Sequence, residues 1–330
     1  MATKAVTLDA DAITLKEETP FIIVMRRFRK HKLAVVALFV MVSIFMVSVF
    51  ARNVAPFAVD DLQVGNYFLK PGTVDETTGK TFLLGTDQIG RDYFSRLVYA
   101  GRISLSVALF SVLISTLIGI TVGSVAGFFG GWVDNVLMRF VEFLLTVPSL
   151  PLLLIISTIL ISNENALPIP QPILKFFGSI MLLSPRDARQ AVLIIIVLAG
   201  LGWLTSAQLM RGMVLSLREQ TFVEASRSLG ASPLRIIFVH MIPNAMAPII
   251  VDASLGLAGY VVAEASLSFL GFGIQDPIPT WGNMLSATQQ FMYDKPWLPL
   301  IPGLPIFLCS LAFNYIGDGL RDALDPRLKM

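Results

Sequence analysis

The sequence predicts an all-α polytopic membrane protein with six transmembrane helices. Of its 330 residues, 55% are hydrophobic and only 15% charged, where a soluble domain carries about a quarter charged residues. Mean hydropathy is +0.72, and the apolar residues gather in runs of the roughly 20 that a spanning helix needs. These runs are 33–51, 103–129, 136–162, 191–210, 245–271 and 297–316.

Each run has its own character. The first lies behind a long polar leader and exceeds the usual length of a signal-peptide core, so it reads as a retained signal-anchor. Before it, TPFIIVMRRFRKHK offers Thr19 as an N-cap and Pro20 as a first helical residue, opening a helix that mixes apolar and basic side chains. Such a helix suits the membrane surface. Arg26, Arg27, Arg29, Lys30 and Lys32 crowd beside the first span. They place the N-terminus in the cytoplasm, and six spans return the C-terminus to the same side.

The second run carries a small residue at every fourth position: Ser111, Ser115, Gly119, Gly123 and Gly127. That stripe allows another helix backbone to come close. The third contains TVPSLP, with Pro148 and Pro151, and is expected to kink. Arg139 and Glu142 lie near its start. The fifth holds Asp252 toward its cytoplasmic end and Glu264 at depth. Ionisable groups there are costly and face a partner or a watery path. Glu264 reads first as a hydrogen-bonded structural group, with a proton relay as the alternative. Asn314 in the sixth run is a further candidate for a pathway or helix–helix polar contact.

Several chemistries are excluded. A net charge of +2 gives no basic face for nucleic acid. Cys309 is the single cysteine, and His31 and His240 are far apart, so no disulfide or metal site is expected within the chain. TTGKT at 77–81 ends like a phosphate-binding loop, but the position that needs glycine holds Val74. No G-x-S-x-G or H-E-x-x-H occurs, which leaves an intramembrane hydrolase unsupported.

The segment TFVEASRSLGASPLRIIFVHMIPN, residues 221–244, lies between the fourth and fifth runs. Thr221 with Glu224 three positions later forms a capping-box pattern opening a helix through Leu229. Gly230 suits the left-handed position that closes it. Ser232 then caps a second helix with Pro233 in its first turn, running toward Pro243. Two short helices and a fixed turn make a rigid cytoplasmic knob.

EASRSLG followed by IIFVHMIPN resembles the EAA loop of binding-protein-dependent ABC transporter permeases, with Glu224, Ala225, Gly230 and Pro243 in register. Ser226 stands where the second alanine is usual. LLGTDQIGRDYFSRLVYAGRISL, EASLSFLGFG, PTWGNML and NYIGDGLRDALDPRL are similar to the dipeptide and oligopeptide branch, specifically its C-type subunit. The stretches at 168–183 and 73–80 look less typical.

The resemblance implies a type I ABC importer permease fold. Residues 1–52 would form the leader, interfacial helix and first span, 53–102 an extracytoplasmic loop, 103–318 the permease core and 319–330 a cytoplasmic tail. It implies a coupling surface on Glu224, Ala225, Ser226, Leu229, Gly230, Ala231, Ser232, Pro233 and Pro243. It also implies partners: a homologous second permease, two ATP-binding subunits that hold ATP and magnesium, and an extracytoplasmic binding protein. The chain itself would bind no cofactor and would not be an enzyme. Its place would be a bacterial or archaeal plasma membrane. Related systems take peptides, nickel complexes or oligosaccharides. The rival from another class is an ion-coupled secondary transporter using Glu264 or Asp252.

Overall fold

The computed structural model describes residues 19–62, 65–75, 78–163 and 167–325. A short basic helix, α1 (Pro20–Lys30), is followed by α2 (Lys32–Val49) and a single turn, α3 (Ala51–Val54). His31 breaks the helix between α1 and α2, and its Nδ1 accepts a bond from the Ala34 amide at 3.1 Å, capping α2. A polar loop follows, with a small antiparallel hairpin of β1 (Thr73–Val74) and β2 (Thr81–Phe82), so the chain is not purely helical. The expected leader before residue 19 and the end of the tail after 325 lie outside the described residues.

The long helices overrun the apolar runs that announce them. α4 (Tyr93–Phe129) spans 37 residues, about 55 Å at 1.5 Å per residue. It begins ten positions before the expected start because the Asp92 carboxylate accepts the Ser95 amide at 2.8 Å and caps it there. α8 (Pro185–Arg218) likewise extends the fourth run at both ends, and α13 (Trp297–Leu324) carries the sixth into the expected tail. Hydropathy marks where lipid ends, whereas caps decide where backbone hydrogen bonding ends.

The third run bends at Pro148 as expected, and more sharply than a simple kink. It forms two helices, α5 (Gly131–Thr146) and α6 (Ser149–Ser162), at 93° to each other. Pro148 forces the preceding residue out of the helical region, and Val147 is extended at φ −82°, ψ 129°. Among the described residues five helices are long and apolar enough to cross a membrane alone, and the bent pair would make a sixth if it is one broken span. Beyond it, α7 (Gln171–Met181) packs against the N-terminal half of α8.

The hairpin at 221–244 also departs in part from expectation. α9 (Thr221–Ser228) is a separate helix, but α10 (Pro233–Arg235) is not. It continues through a π-helical stretch, Ile236–Met241, into α11 (Ile242–Phe269). Pro243 has no amide to donate, and the wider turn absorbs its ring. The Asn244 side chain donates to the His240 carbonyl at 2.6 Å, satisfying one acceptor there. A last short helix, α12 (Trp281–Ala287), is fastened by a capping box between Thr280 and Asn283.

The bundle is organised by α4 against α8. A Cβ at Gly119 would lie 2.6 Å from the Ser206 Cβ, and one at Gly123 2.8 Å from the Met210 Cβ. At Gly127 it would lie 2.9 Å from both the Arg211 carbonyl and the Val214 Cβ. The small-residue stripe is therefore a helix-packing face. Ser111 and Ser115 continue it, both buried. By contrast, Phe39, Leu117, Phe143 and Phe307 are exposed on the outside of the bundle, as suits a hydrocarbon solvent.

The stripe yields a stability prediction. Gly123→Val should press on the Ala207 carbonyl and Met210, a loss of about 1–3 kcal/mol for overpacking. Gly200→Val is the control, since nothing lies within 4 Å of its Cβ position. Melting of the purified protein in detergent checks it. Equal midpoints for the two variants would mean that α4 does not depend on this contact.

Candidate functional site

The hairpin between α8 and α11 is held as a fixed shape. Its first helix closes with the Ala231 amide bonded to the Ser226 carbonyl at 3.0 Å and the Gly230 amide to the Arg227 carbonyl at 2.9 Å. Gly230 has φ +78°, the left-handed conformation that a side chain disfavours. Ser232 accepts the Arg235 amide at 3.4 Å with Pro233 in the first turn, as its sequence implies. The other end differs. Gln220, not Thr221, is the N-cap of α9, and no side chain caps it, so the capping box does not form. Glu224 and Ala225 are exposed instead, and the Ser226 hydroxyl returns to the Phe222 carbonyl.

Tertiary contacts seat this unit on the bundle. Val223 is fully buried among Ile236, Ile237, Met241 and Met210. The Arg227 guanidinium lies 5.2 Å over the Phe128 ring, and Arg218 donates to the Gly127 carbonyl at 3.3 Å. Nearby, Arg211 of α8 clasps Asp134 of α5 through both carboxylate oxygens, at 2.6 Å for Oδ2. Large apolar side chains stand bare on the hairpin: Leu229 is 88% exposed and Leu234 64%, with Phe222 and Phe238 also exposed, beside exposed Glu224 and Arg235. Ala231 is half-buried, and Pro243 is exposed at the head of α11.

The second site is a cavity of about 260 Å³ between α4, α6, α8 and α11, with hydroxyls and one carboxylate set in largely apolar walls. Asp252 lines it and accepts the Ser206 hydroxyl at 2.6 Å. Tyr260 crosses from α11 to donate to Ser115 of α4 at 2.6 Å. Its hydroxyl occupies the space where a side chain on Gly202 would stand. Tyr260 gave no signal in the sequence beyond being a lone aromatic in a run of small residues.

Glu264 does not share this cavity. It is fully buried, accepts the Ser268 hydroxyl at 2.8 Å and has the Ser104 and Thr280 hydroxyls beside it. Its Oε2 is buried without a hydrogen bond of acceptable geometry. Ser268 also accepts the Ile274 amide at 3.2 Å, so this group holds the loop leading to α12. Asn314 donates to the Ser310 carbonyl of its own helix at 2.9 Å, and no helix–helix bond from it is seen among the described residues.

A further cluster escaped the sequence altogether. Asp276 binds Arg91 at 2.9 Å and Arg96 at 2.6 Å, and Arg91 binds Asp87 at 2.7 Å. Both guanidiniums are buried. Burial pulls Arg91 down, but Asp87 and Asp276 outweigh it and hold the group above its ordinary value. Burial raises the Asp92 carboxyl, and the hydrogen bonds from Ser95 only partly offset it. The network pins the loop before α4 to the one after α11, far apart in sequence.

Residues 119–330 match the family described as binding-protein-dependent transport system inner membrane component. Residues 19–71 match the N-terminal TM domain of oligopeptide transport permease C. The chain is 36% identical to the dipeptide transport system permease protein DppC of Alkalihalophilus pseudofirmus, over 92% of this chain and 89% of that one. It is 35% identical to the oligopeptide transport system permease protein OppC of Mycobacterium tuberculosis, over 92% and 94% of the two chains. To the glutathione transport system permease protein GsiD of Pectobacterium atrosepticum it is 34% identical, over 94% and 92%. With its bundle of long apolar helices and the Gly230-closed hairpin between α8 and α11, the chain belongs to the binding-protein-dependent transport system inner membrane components.

Proposed function

We propose that this chain is one of two permease subunits of an ATP-driven ABC importer for dipeptides or oligopeptides. It forms half of the pathway and passes the work of separate ATP-binding subunits to it. The observation that carries this reading is the hairpin: a Gly230-closed turn, seated on the bundle by Val223 and Arg227, that leaves Leu229 and Leu234 bare. An apolar surface of that kind on a rigid support suits a partner's cleft. The partners are a homologous permease, two ATP-binding subunits and an extracytoplasmic binding protein. The relatives' names support peptide cargo. The α5–α6 pair counts as a broken third span in a six-span type I permease. The termini and the hairpin then face the cytoplasm of a bacterial or archaeal cell.

The topology is tested with an impermeant thiol reagent on intact cells, in a Cys309→Ser background. A cysteine at position 79, in the outside loop, should label at once, and one at position 232 only after permeabilisation. The reverse pattern would invert the molecule and move the hairpin away from any cytoplasmic ATPase.

The coupling role is tested by Gly230→Val. Nothing lies within 4 Å of its Cβ position, so the substitution strains only the backbone, by about 1–2 kcal/mol. Membrane abundance should stay normal while copurification of the ATP-binding subunits falls several-fold. Gly72→Val carries the same kind of strain at φ +85° in the outside loop and should spare that association. Full association and uptake in Gly230→Val would reduce the hairpin to an ordinary connection.

The ion-coupled alternative uses Glu264 or Asp252, and Glu264 is the fully buried one of the two. Glu264→Gln keeps an acceptor for Ser268 and should retain at least half of ATP-dependent uptake. Collapse of uptake, with a pH gradient replacing the need for ATP, would favour the secondary transporter.

A further inference from the structure

Two cavities meet at Asp252. The first, of about 260 Å³, runs along α8 from Leu198 to Ser206 and along α11 from Asp252 to Ala263. The second, of about 660 Å³, runs along α8 from Leu209 to Met213 and along α11 from Asn244 to Leu255. Both helices therefore order the cavities end to end, with the second nearer the hairpin. Asp252 lines both.

Among the described residues it is the only charged side chain on the first cavity, whose other polar side chains carry hydroxyls, including Ser115, Thr116, Thr205 and Tyr260. Its Oδ2 takes the Ser206 hydroxyl at 2.6 Å. Among the described residues no cation stands within ion-pair distance of it, although Arg321 lines the second cavity. The Thr116 hydroxyl oxygen is buried with no partner. A half-buried carboxylate in an apolar span, held by one hydroxyl, has acceptor capacity left for a cation to complete.

Resting on the peptide-importer reading, we propose that Asp252 receives the α-ammonium of the peptide in transit. A peptide importer must accept varied side chains, and the free amino end is a group they share. A primary ammonium offers three N–H donors, which a carboxylate and neighbouring hydroxyl oxygens can accept. The Asp252 carboxylate would then act as a positioning charge between the outer and inner cavities. The Ser206 bond fixes its orientation, and Gly119 lets Ser206 sit close to α4.

The test uses the whole importer in proteoliposomes, with its binding protein outside and ATP within, and tri-alanine at saturating loaded binding protein. Asp252→Asn should lower the maximal uptake rate about tenfold or more, the effect of losing one charged hydrogen bond. KM, set by the binding protein, should move less than twofold. Asp252→Glu should recover part of the rate, and Ser206→Ala should cost far less than Asp252→Asn. Copurification of all subunits checks that each variant assembles.

A structural tie between α8 and α11 predicts the opposite ranking. Asparagine still accepts the serine bond, so Ser206→Ala would then be the damaging change. That ranking, or a wild-type rate in Asp252→Asn, overturns the proposal and leaves the peptide reading standing. A wild-type importer that hydrolyses ATP but takes up no free-amine peptide overturns the peptide reading itself, and this proposal with it.

Discussion

The close approach of α4 and α8 is the contact on which the other features rest. Between helices in lipid there is little hydrophobic drive, because the surrounding chains are as apolar as leucine. Attraction must come from short-range contact, and Gly119, Gly123 and Gly127 provide it by removing the side chains that would hold the backbones apart. The same approach sets Ser206 where it meets Asp252 and keeps Ser115 within reach of Tyr260. At its far end it brings Phe128 and the Gly127 carbonyl under Arg227 and Arg218, which seat the hairpin. One packing face thus positions both candidate sites.

The bilayer imposes a second constraint, that every freed backbone group finds a partner or is removed from lipid. The prolines show two solutions. Pro148 turns the chain by 93° and ends one helix, so the unsatisfied groups fall at a corner. Pro243 instead lies beside a π-helical stretch, where the helix stays continuous and Asn244 supplies a donor. Outside the bundle the same rule applies to charge. Arg91 and Arg96 are buried only because Asp87 and Asp276 neutralise them, and the cost of their burial becomes a tie between two distant loops.

Local grammar was legible wherever one residue decides the backbone. Gly230, Ser232 and the stripe on α4 could be read directly, because a left-handed φ, an N-cap and a four-residue period are short-range properties. The helix ends were less legible, since Asp92 and Ser184 cap α4 and α8 well beyond the apolar runs. Thr221 matched a capping pattern but lies inside α9, with Gln220 taking the extended position before it. A corner at Pro148 and a kink there have the same sequence, and only packing separates them. Arg96 and Asp276 are 180 positions apart, and the sequence says nothing of their pairing.

The continuity of α11 with the hairpin links the two candidate sites mechanically. From Leu234 to Asp252 the chain is helical throughout, with the π-helical stretch and Pro248 inside α11 as its irregularities. At 1.5 Å per residue this is a rod about 27 Å long, with a bare leucine at one end and the cavity carboxylate at the other. A helix transmits displacement along its axis better than a loop of equal length, because each residue is held by hydrogen bonds to its neighbours. Motion imposed on Leu234 would therefore reach Asp252 along a continuous helix rather than through a loop, with Pro248 as the point most easily bent. Close packing favours discrete arrangements over gradual deformation, so such a displacement would switch α11 between seats against α4 and α8. Under the proposed coupling role, a fixed hairpin and a tightly packed bundle are two requirements of one device, in which force would enter at an apolar tip and act on a half-buried carboxylate.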